Sequence, residues 1–199
     1  MVVPPTSPTR NELRALVRDI RVRFLAPLGD DERAGLDAAL VERLRPLLDG
    51  RRKVAGYAAM HDEVDPAAIG FTTWPRVGAN GEPLRFHHAH PDDLIRSPGW
   101  GIREPDRFAP LVEPDAILVP LVAADARGNR LGYGKGHYDR TLPLHDAVRI
   151  GVAFDCQVID HVPAEAWDAP LDWLVTPTRT IRCTHAATLP PVGVVPGSG

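Results

Sequence analysis

Three glycines, a lysine and an aspartate crowd into the segment 130–140, which is RLGYGKGHYDR. Glycine at alternate positions lets successive backbone N–H groups point into one concavity, because left-handed conformations cost glycine nothing and no side chain blocks a ligand. Lys135 adds a mobile charge for phosphate oxygens, and Asp139 offers the oxygen ligands that divalent cations take. The spacing suits a phosphate-binding loop. A plain glycine-rich turn between a strand and a helix accounts for the glycines equally well.

Two familiar nucleotide-binding patterns do not fit this segment. A Walker A loop requires Ser or Thr after its Gly-Lys pair, but Gly136 follows Lys135. A dinucleotide-binding Gly-x-Gly-x-x-Gly would need glycine at position 137, which is His137. The nature of the ligand must therefore be inferred from the rest of the chain.

The first element that must support the loop is a helix near the amino terminus. Thr9 and Glu12 have the spacing of a capping box, which predicts a helix beginning at position 10. The apolar residues at helical spacing, which predict its buried stripe, are Leu13, Leu16, Val17, Ile20 and Phe24. Arg10, Arg14 and Arg18 lie four apart on a neighbouring face. This row is either a solvated basic face or an anion-binding one.

The remaining pattern predicts a single α/β domain. A second helix is expected from Asp30 to Leu48, ending at Asp49-Gly50. Strands are expected at 54–59, 71–74, 84–88, 116–122, 148–154 and 173–176. Helical segments between strands favour an open, mostly parallel sheet with helices on both faces, a Rossmann-like three-layer fold. We assign 9–187 to this domain, 1–8 to a flexible amino terminus and 188–199 to a Pro/Gly-rich disordered tail.

This topology predicts where the ligand lies. The glycine loop falls between the strand at 116–122 and a helix that starts near His137, whose amino terminus would add partial positive charge. Glu63 follows the first strand, at the carboxyl edge where open α/β sheets bind ligands.

Composition excludes several classes of protein. The chain of 199 residues is 44% hydrophobic and 25% charged, which is typical of a globular domain, and its net charge of -3 gives no bulk field for nucleic acid. No apolar run is long enough to span a membrane and no signal peptide is recognisable, which predicts a cytoplasmic location. The two cysteines have no metal-ligand spacing, and His87, His88 and His90 are interpreted as surface residues rather than a zinc site.

Five segments in order carry a resemblance to a known family. They are Leu13-Arg14 after Arg10, Tyr57 with Glu63-Val64-Asp65, Gly101-Ile102-Arg103-Glu104-Pro105, the apolar strand and glycine loop over 117–140, and a closing Pro-x-Glu-x-x-Asp-x-Pro-Leu-Asp at 163–172. From about position 10 to 180, the sequence resembles the 5-formyltetrahydrofolate cyclo-ligase family. The resemblance implies ATP-dependent conversion of 5-formyltetrahydrofolate to 5,10-methenyltetrahydrofolate with Mg²⁺, releasing ADP and phosphate.

The resemblance also implies roles for individual residues. Those implied for ATP are Arg10, Asn11, Glu12, Leu13, Arg14, Arg130, Leu131, Gly132, Tyr133, Gly134, Lys135, Gly136, His137 and Tyr138. Those implied for the folate are Ala58, Glu63, Trp100, Tyr133 and His137. Arg14, Lys135 and Asp139 would be catalytic, and Asp139 and Asp168 would hold the magnesium ion. We expect a monomer or weak dimer.

The sequence departs from the family pattern at three places. Arg10 replaces a lysine, which exchanges a compact ammonium for a planar fork. His137 replaces a tyrosine, and we expect a limb in the pH profile that His137→Tyr removes. The segment 70–83 lacks the family's Leu-Pro-Arg, with Trp74-Pro75-Arg76-Val77 as a loose match. Two other readings stay open: a paralogous ATP-dependent ligase for another small molecule, and a non-catalytic folate or nucleotide binder.

Overall fold

A computed structural model describes residues 8–60, 62–78, 81–97 and 101–184. Trp100, the tail at 188–199 and nearly all of the predicted flexible segment 1–8 lie outside the described residues. The assigned limits of the domain therefore stay predictions.

Among the described residues, three α-helices form where local signals predict them. Helix α1 spans Arg10–Leu25, and Thr9 and Glu12 form the predicted capping box: the Thr9 hydroxyl accepts from the Glu12 N–H, and the Glu12 carboxylate accepts from the Thr9 N–H at 2.8 Å. Helix α2 spans Asp30–Leu48, with the predicted bounds. Helix α3, His137–Thr141, begins after the glycine loop as expected but has only five residues. No helix among the described residues is long and apolar enough to cross a membrane.

Among the described residues, the strands of the main sheet are β1 Val54–Ala55, β2 Thr73–Arg76, β3 Arg85–His88, β6 Ala116–Pro120, β9 Val148–Val152, β10 Trp173–Val175 and β11 Thr180–Arg182. These seven strands lie in the order β11-β10-β9-β6-β1-β2-β3. The five strands from β10 to β2 pair in parallel, and β3 and β11 are antiparallel edges. Two small hairpins pair β4 Ile95–Arg96 with β5 Arg103–Glu104, and β7 Ala123–Ala124 with β8 Arg130–Leu131. The mostly parallel sheet is confirmed.

Apolar side chains alternate between the two faces of this sheet, and helices cover both. Leu118 and Ile150 point to the face where α2 contributes Leu40, Leu44 and Leu48. Ile117 and Val119 point to the opposite face, which is covered by Tyr138 of α3, Leu142 and the loop at Leu171. The predicted three-layer arrangement is therefore correct, with a much thinner layer on the second face.

The buried stripe of α1 differs from the prediction. Leu13 and Val17 are buried as expected, but Leu16 is 53% exposed and Ile20 is 37% exposed. Arg21, which the pattern left out, is buried at 1% exposure. The helix contacts segments that follow the carboxyl ends of β1 and β9, through Arg21 and Phe24. Because it does not lie flat on a sheet face, only a narrow line of its residues is covered.

The first strand is shorter than the predicted 54–59. Sheet pairing ends at Ala55, although the Gly56 N–H still donates to the Thr73 carbonyl at 3.0 Å. A side chain at Gly56 would meet the ring of Phe71 at 2.0 Å, so only glycine lets the chain pass here. The chain then leaves the sheet and carries Tyr57 and Ala58 to the cavity described next.

Candidate functional site

A cavity of about 410 Å³ opens beside the glycine loop, and most of the predicted site residues line it. Those residues are Ala58, Glu63, Arg130, Gly132, Tyr133, Lys135, Gly136, His137, Tyr138 and Asp139. The cavity lies beyond Ala55 of β1 and beside Pro120, the last residue of β6. It therefore occupies the carboxyl edge of the parallel sheet, as the topology predicts.

The loop depends on glycine at two positions. Gly134 has φ 90° and Gly136 has φ 65°, both left-handed conformations in which L side chains are strained. A side chain at Gly136 would also meet Arg140 Nη1 at 2.9 Å. Gly132 has neither a left-handed φ nor any atom within 4 Å of an added Cβ, so neither backbone conformation nor packing requires glycine there.

Arginines on both sides hold the carbonyl oxygens of the loop. Arg14 of α1 donates from Nε to the Gly132 carbonyl at 2.9 Å and from Nη1 to Asn11 Oδ1 at 2.7 Å. Arg140 of α3 donates to the Lys135 carbonyl at 2.9 Å. Two members of the predicted row on α1 thus face the loop: Arg14, and Arg18, whose guanidinium lies 5.9 Å from the centre of the Tyr133 ring.

Arg130 lies at the base of the loop, where it lines the cavity and contacts protein partners. Its guanidinium is almost fully buried, donates to the Ala169 carbonyl and donates to Asp139 Oδ1 at 2.7 Å. Burial lowers the pKa of Arg130, and the neighbouring Asp139 opposes that change. The contacts tie the start of α3 to the segment around Ala169, and they fix the orientation of the Asp139 carboxylate.

Asp168 is held by α1. Arg10 donates to both of its carboxylate oxygens at 2.5 and 3.1 Å, and the Glu165 N–H donates at 2.8 Å. Burial alone would raise the pKa of Asp168, but the hydrogen bonds from Arg10 and the Glu165 N–H outweigh it and lower that pKa. Arg10 therefore contacts a predicted metal ligand directly, which the sequence did not predict.

The carboxylates suit magnesium better than a softer ion. Among the described residues, no group of three or more His, Cys, Asp or Glu side chains is spaced to hold a metal by itself. Magnesium commonly binds through one or two carboxylates, together with water and substrate phosphates. Asp139 and Asp168 provide such a pair on neighbouring segments, since the Ala169 N–H lies 3.4 Å from Asp139 Oδ1.

On the far side of the loop, Glu63 is buried at 5% exposure. It accepts from the Tyr133 hydroxyl at 2.8 Å through Oε1 and from the Met60 N–H at 2.9 Å through Oε2. Burial raises the pKa of Glu63, and the hydrogen bonds from Met60 and Tyr133 and the charge of Arg21 oppose that rise. The Arg33 guanidinium donates to the Glu63 carbonyl, which anchors the segment from α2.

Four predicted nucleotide residues on α1 and β8 have structural contacts of their own. Glu12 caps α1, and Leu13 and Leu131 are buried in one apolar cluster with Val122. Asn11 orients Arg14. Their side chains do not line the cavity.

Sequence reasoning missed Arg21, Asp62 and most of the apolar wall of the cavity. The wall includes Pro75, Val77, Leu84 and Ile102. Pro75 and Val77 belong to the loose match around Arg76, and Ile102 to the Gly-Ile-x-Glu-Pro segment, but none of them was predicted to line the site. Glu104, two residues after Ile102, forms an ion pair with Arg76 at 2.9 Å. A signal for Arg21 existed: it continues the line of Leu13 and Val17 at four-residue spacing, where an apolar residue is expected.

The fold and the site together define an α/β enzyme that binds small molecules at the carboxyl edge of its sheet. The model of the 5-formyltetrahydrofolate cyclo-ligase family matches residues 11–177. The chain belongs to this family, which confirms the resemblance carried by its five segments.

Individual relatives agree with this assignment. The 5-formyltetrahydrofolate cyclo-ligase of Haemophilus influenzae is 29% identical over 180 residues, covering 81% of this chain and 94% of that protein. The Escherichia coli K12 cyclo-ligase is 39% identical over 103 residues, covering 48% and 57%. The NMR structure of Aquifex aeolicus 5,10-methenyltetrahydrofolate synthetase superimposes with a TM-score of 0.74 at 32% identity, over 91% of this chain and 96% of that one.

Proposed function

We propose that this cyclo-ligase uses ATP and Mg²⁺ to convert 5-formyltetrahydrofolate to 5,10-methenyltetrahydrofolate, releasing ADP and phosphate. One observation carries the proposal: the cavity beside the glycine loop places Lys135 and Asp139 in the same space as Glu63 and an apolar wall. A phosphate-binding half and a heterocycle-binding half in one cavity suit a reaction in which a phosphoryl group is transferred onto a folate.

The chemistry requires that the formyl oxygen be made a leaving group. Transfer of the γ-phosphoryl group to this oxygen releases ADP and gives an iminium phosphate. N10 attacks its carbon, which closes the five-membered ring, and gives up its proton to solvent. Expulsion of phosphate then leaves the methenyl cation. The protein mainly aligns the formyl oxygen with the γ-phosphorus and neutralises charge.

On the nucleotide side, Arg14 and Lys135 are the proposed catalytic cations. Arg14 already contacts the loop at the Gly132 carbonyl, and Lys135 lines the cavity. The backbone from Arg130 to Tyr138 is the proposed triphosphate cradle. Arg10 is proposed to contact the nucleotide while it holds Asp168, and Asn11, Glu12 and Leu13 are proposed to contribute through the first turn of α1.

Asp139 and Asp168 are the proposed magnesium ligands. When bound with the triphosphate, the ion supplies charge neutralisation for the transferred group. Arg130 and Arg10 hold these carboxylates now, so each aspartate is oriented before the ion arrives.

On the folate side, Glu63 is the proposed acceptor for the amino and ring N–H groups of the pterin. Ala58, Tyr133 and His137 line the same cavity and are proposed to contact the folate. Trp100 stays a proposed stacking partner of the folate from the sequence alone.

The test is turnover by the purified protein with Mg-ATP and 5-formyltetrahydrofolate, followed by the absorbance of the methenyl product. Arg14→Ala and Asp139→Ala should each lower kcat by about 10²-fold or more, because each removes a charge that acts in the transition state. Arg23→Ala, an exposed change on the same helix, is the matched control. Binding of ATP without turnover by the unaltered protein would instead favour a paralogous ligase or a non-catalytic binder.

A further inference from the structure

Arg21 is an unusual residue to bury. Its side chain is 1% exposed, and it continues the covered line of Leu13 and Val17 on α1. Nη2 donates to the Tyr133 hydroxyl at 3.2 Å and contacts the Asp62 carboxylate. Nε and Nη1 are buried without a hydrogen-bond partner among the residues that the structure describes. Unpartnered buried donors destabilise a fold, so packing alone does not account for an arginine here.

The direction of the hydrogen bonds around Arg21 is fixed by its chemistry. A guanidinium can only donate, so the Tyr133 oxygen accepts from Arg21 and its own O–H is free to point elsewhere. That O–H donates to Glu63 Oε1 at 2.8 Å. Burial and the adjacent Glu63 raise the pKa of Tyr133, which keeps the hydroxyl protonated and able to donate.

The same contacts fix Glu63. Tyr133 holds one carboxylate oxygen and the Met60 N–H holds the other. Each oxygen keeps further acceptor capacity for a ligand in the cavity. Arg21 itself is not in the wall of that cavity, which Tyr133 and Glu63 line, so it can reach a ligand only through its neighbours.

We propose that Arg21 is a positioning residue for the cyclo-ligase reaction, acting through the Tyr133 hydroxyl to fix the Glu63 carboxylate as an acceptor for the folate ring. This inference rests on the proposed function, because it takes Glu63 as a folate ligand. Helix α1 then has two roles. Arg14 contacts the glycine loop, and Arg21, about two helical turns further along, orients the folate acceptor Glu63.

The first experiment is Arg21→Met, which keeps an unbranched side chain of similar length and removes every donor. We expect the KM for 5-formyltetrahydrofolate to rise about tenfold while kcat changes less than about twofold, since a contact present in the ground state is lost. The melting temperature measures the structural cost separately, because the change removes unpartnered buried N–H groups but also takes away the ion pair of Asp62. Arg23→Met, at an exposed position on α1, should change neither quantity.

A double-mutant cycle tests whether Arg21 acts through Tyr133. Tyr133→Phe alone should raise the folate KM, and adding Arg21→Met should raise it little further, because both changes break one chain of hydrogen bonds. Arg21→Lys, which keeps a donor, should give a KM between those of the unaltered protein and Arg21→Met.

Several outcomes would overturn the positioning role. One is an unchanged folate KM in Arg21→Met. Another is an Arg21→Met protein that is unfolded or less stable, together with an unchanged folate KM in Arg21→Lys. A third is a double mutant in which the separate effects of Arg21→Met and Tyr133→Phe on KM multiply. If the unaltered protein forms no methenyl product from Mg-ATP and 5-formyltetrahydrofolate, the proposed function fails as well. If the unaltered protein forms the methenyl product and the Arg21 variants have the same folate KM, only the role of Arg21 fails.

Discussion

The pKa values of single residues at this site depend on the balance between burial and nearby hydrogen bonds and charges. Glu63 and Asp168 are both carboxylates in partly or fully covered positions, yet their pKa values shift in opposite directions. Burial dominates at Glu63, which has one neutral hydroxyl and one backbone N–H as donors. At Asp168 the charged fork of Arg10 outweighs burial. Residue type alone therefore does not give the behaviour of either group.

At His137 burial and charge act in the same direction, which gives a testable pH dependence. Burial, with the positive charges of Arg140 and Lys135, lowers its pKa below the usual 6.5, so the ring is neutral at pH 7. Protonation would place a donor on Nδ1, which faces Arg140 Nη2 at 3.5 Å. We expect kcat/KM for the folate to fall below pH 6.5 and His137→Tyr to remove that limb. A limb unchanged in the variant would show that another group titrates.

At the scale of elements, the glycine loop contains positions where a side chain would be strained and one where a side chain would be tolerated. Gly134→Ala should lower the free energy of unfolding by roughly 1–2 kcal/mol, because alanine is strained at φ 90°. Gly132→Ala is the matched change, since its added Cβ meets nothing within 4 Å. It should change stability by only about 0.5 kcal/mol or less. Chemical denaturation measures both, and equal losses would mean that backbone conformation does not explain the glycines.

The elements that sequence reasoning predicted well are those with local signals. The capping box at Thr9 and the turn after Leu48 set the bounds of α1 and α2 within the sequence itself. The exposure of Leu16 and the burial of Arg21 depend on how α1 is rotated against distant segments, which a helical pattern does not encode. The hairpins β4–β5 and β7–β8 were missed because strands of two residues have no periodicity to detect.

The candidate site was predictable in its parts but not in its contacts. Spacing and position in the chain predicted the loop, Asp139 and Glu63, and the family resemblance implied Asp168. Glu63, Asp139 and most of the loop line one cavity, whereas Asp168 does not. The pairing of Arg10 with Asp168 joins residues 158 positions apart, so no local rule could supply it. The family resemblance placed Arg10 near the nucleotide, whereas the direct contact is with a carboxylate.

At the scale of the whole molecule, the edge strand β11 indicates how far the chain must extend for a complete sheet. It pairs antiparallel with β10 and closes the sheet at Thr180–Arg182. We expect removal of 188–199 to leave turnover and the melting temperature unchanged, as composition predicts for the tail. Removal of 180–199 should lower the melting temperature, because β10 loses its ladder of backbone hydrogen bonds. Circular dichroism melts of both truncations check this, and equal melting temperatures would place the limit of the domain before β11.

The contact between Arg10 and Asp168 has a consequence for protein synthesis. The first helix emerges from the ribosome long before its partner, since 158 positions separate the two residues. Helix α1 can form early from its own capping signals, but its arginines then face solvent and hold no carboxylate. The two ends of the chain must meet before Asp168 is oriented. A nascent chain, or one broken before Asp168, therefore lacks this contact, and we expect it to show no turnover.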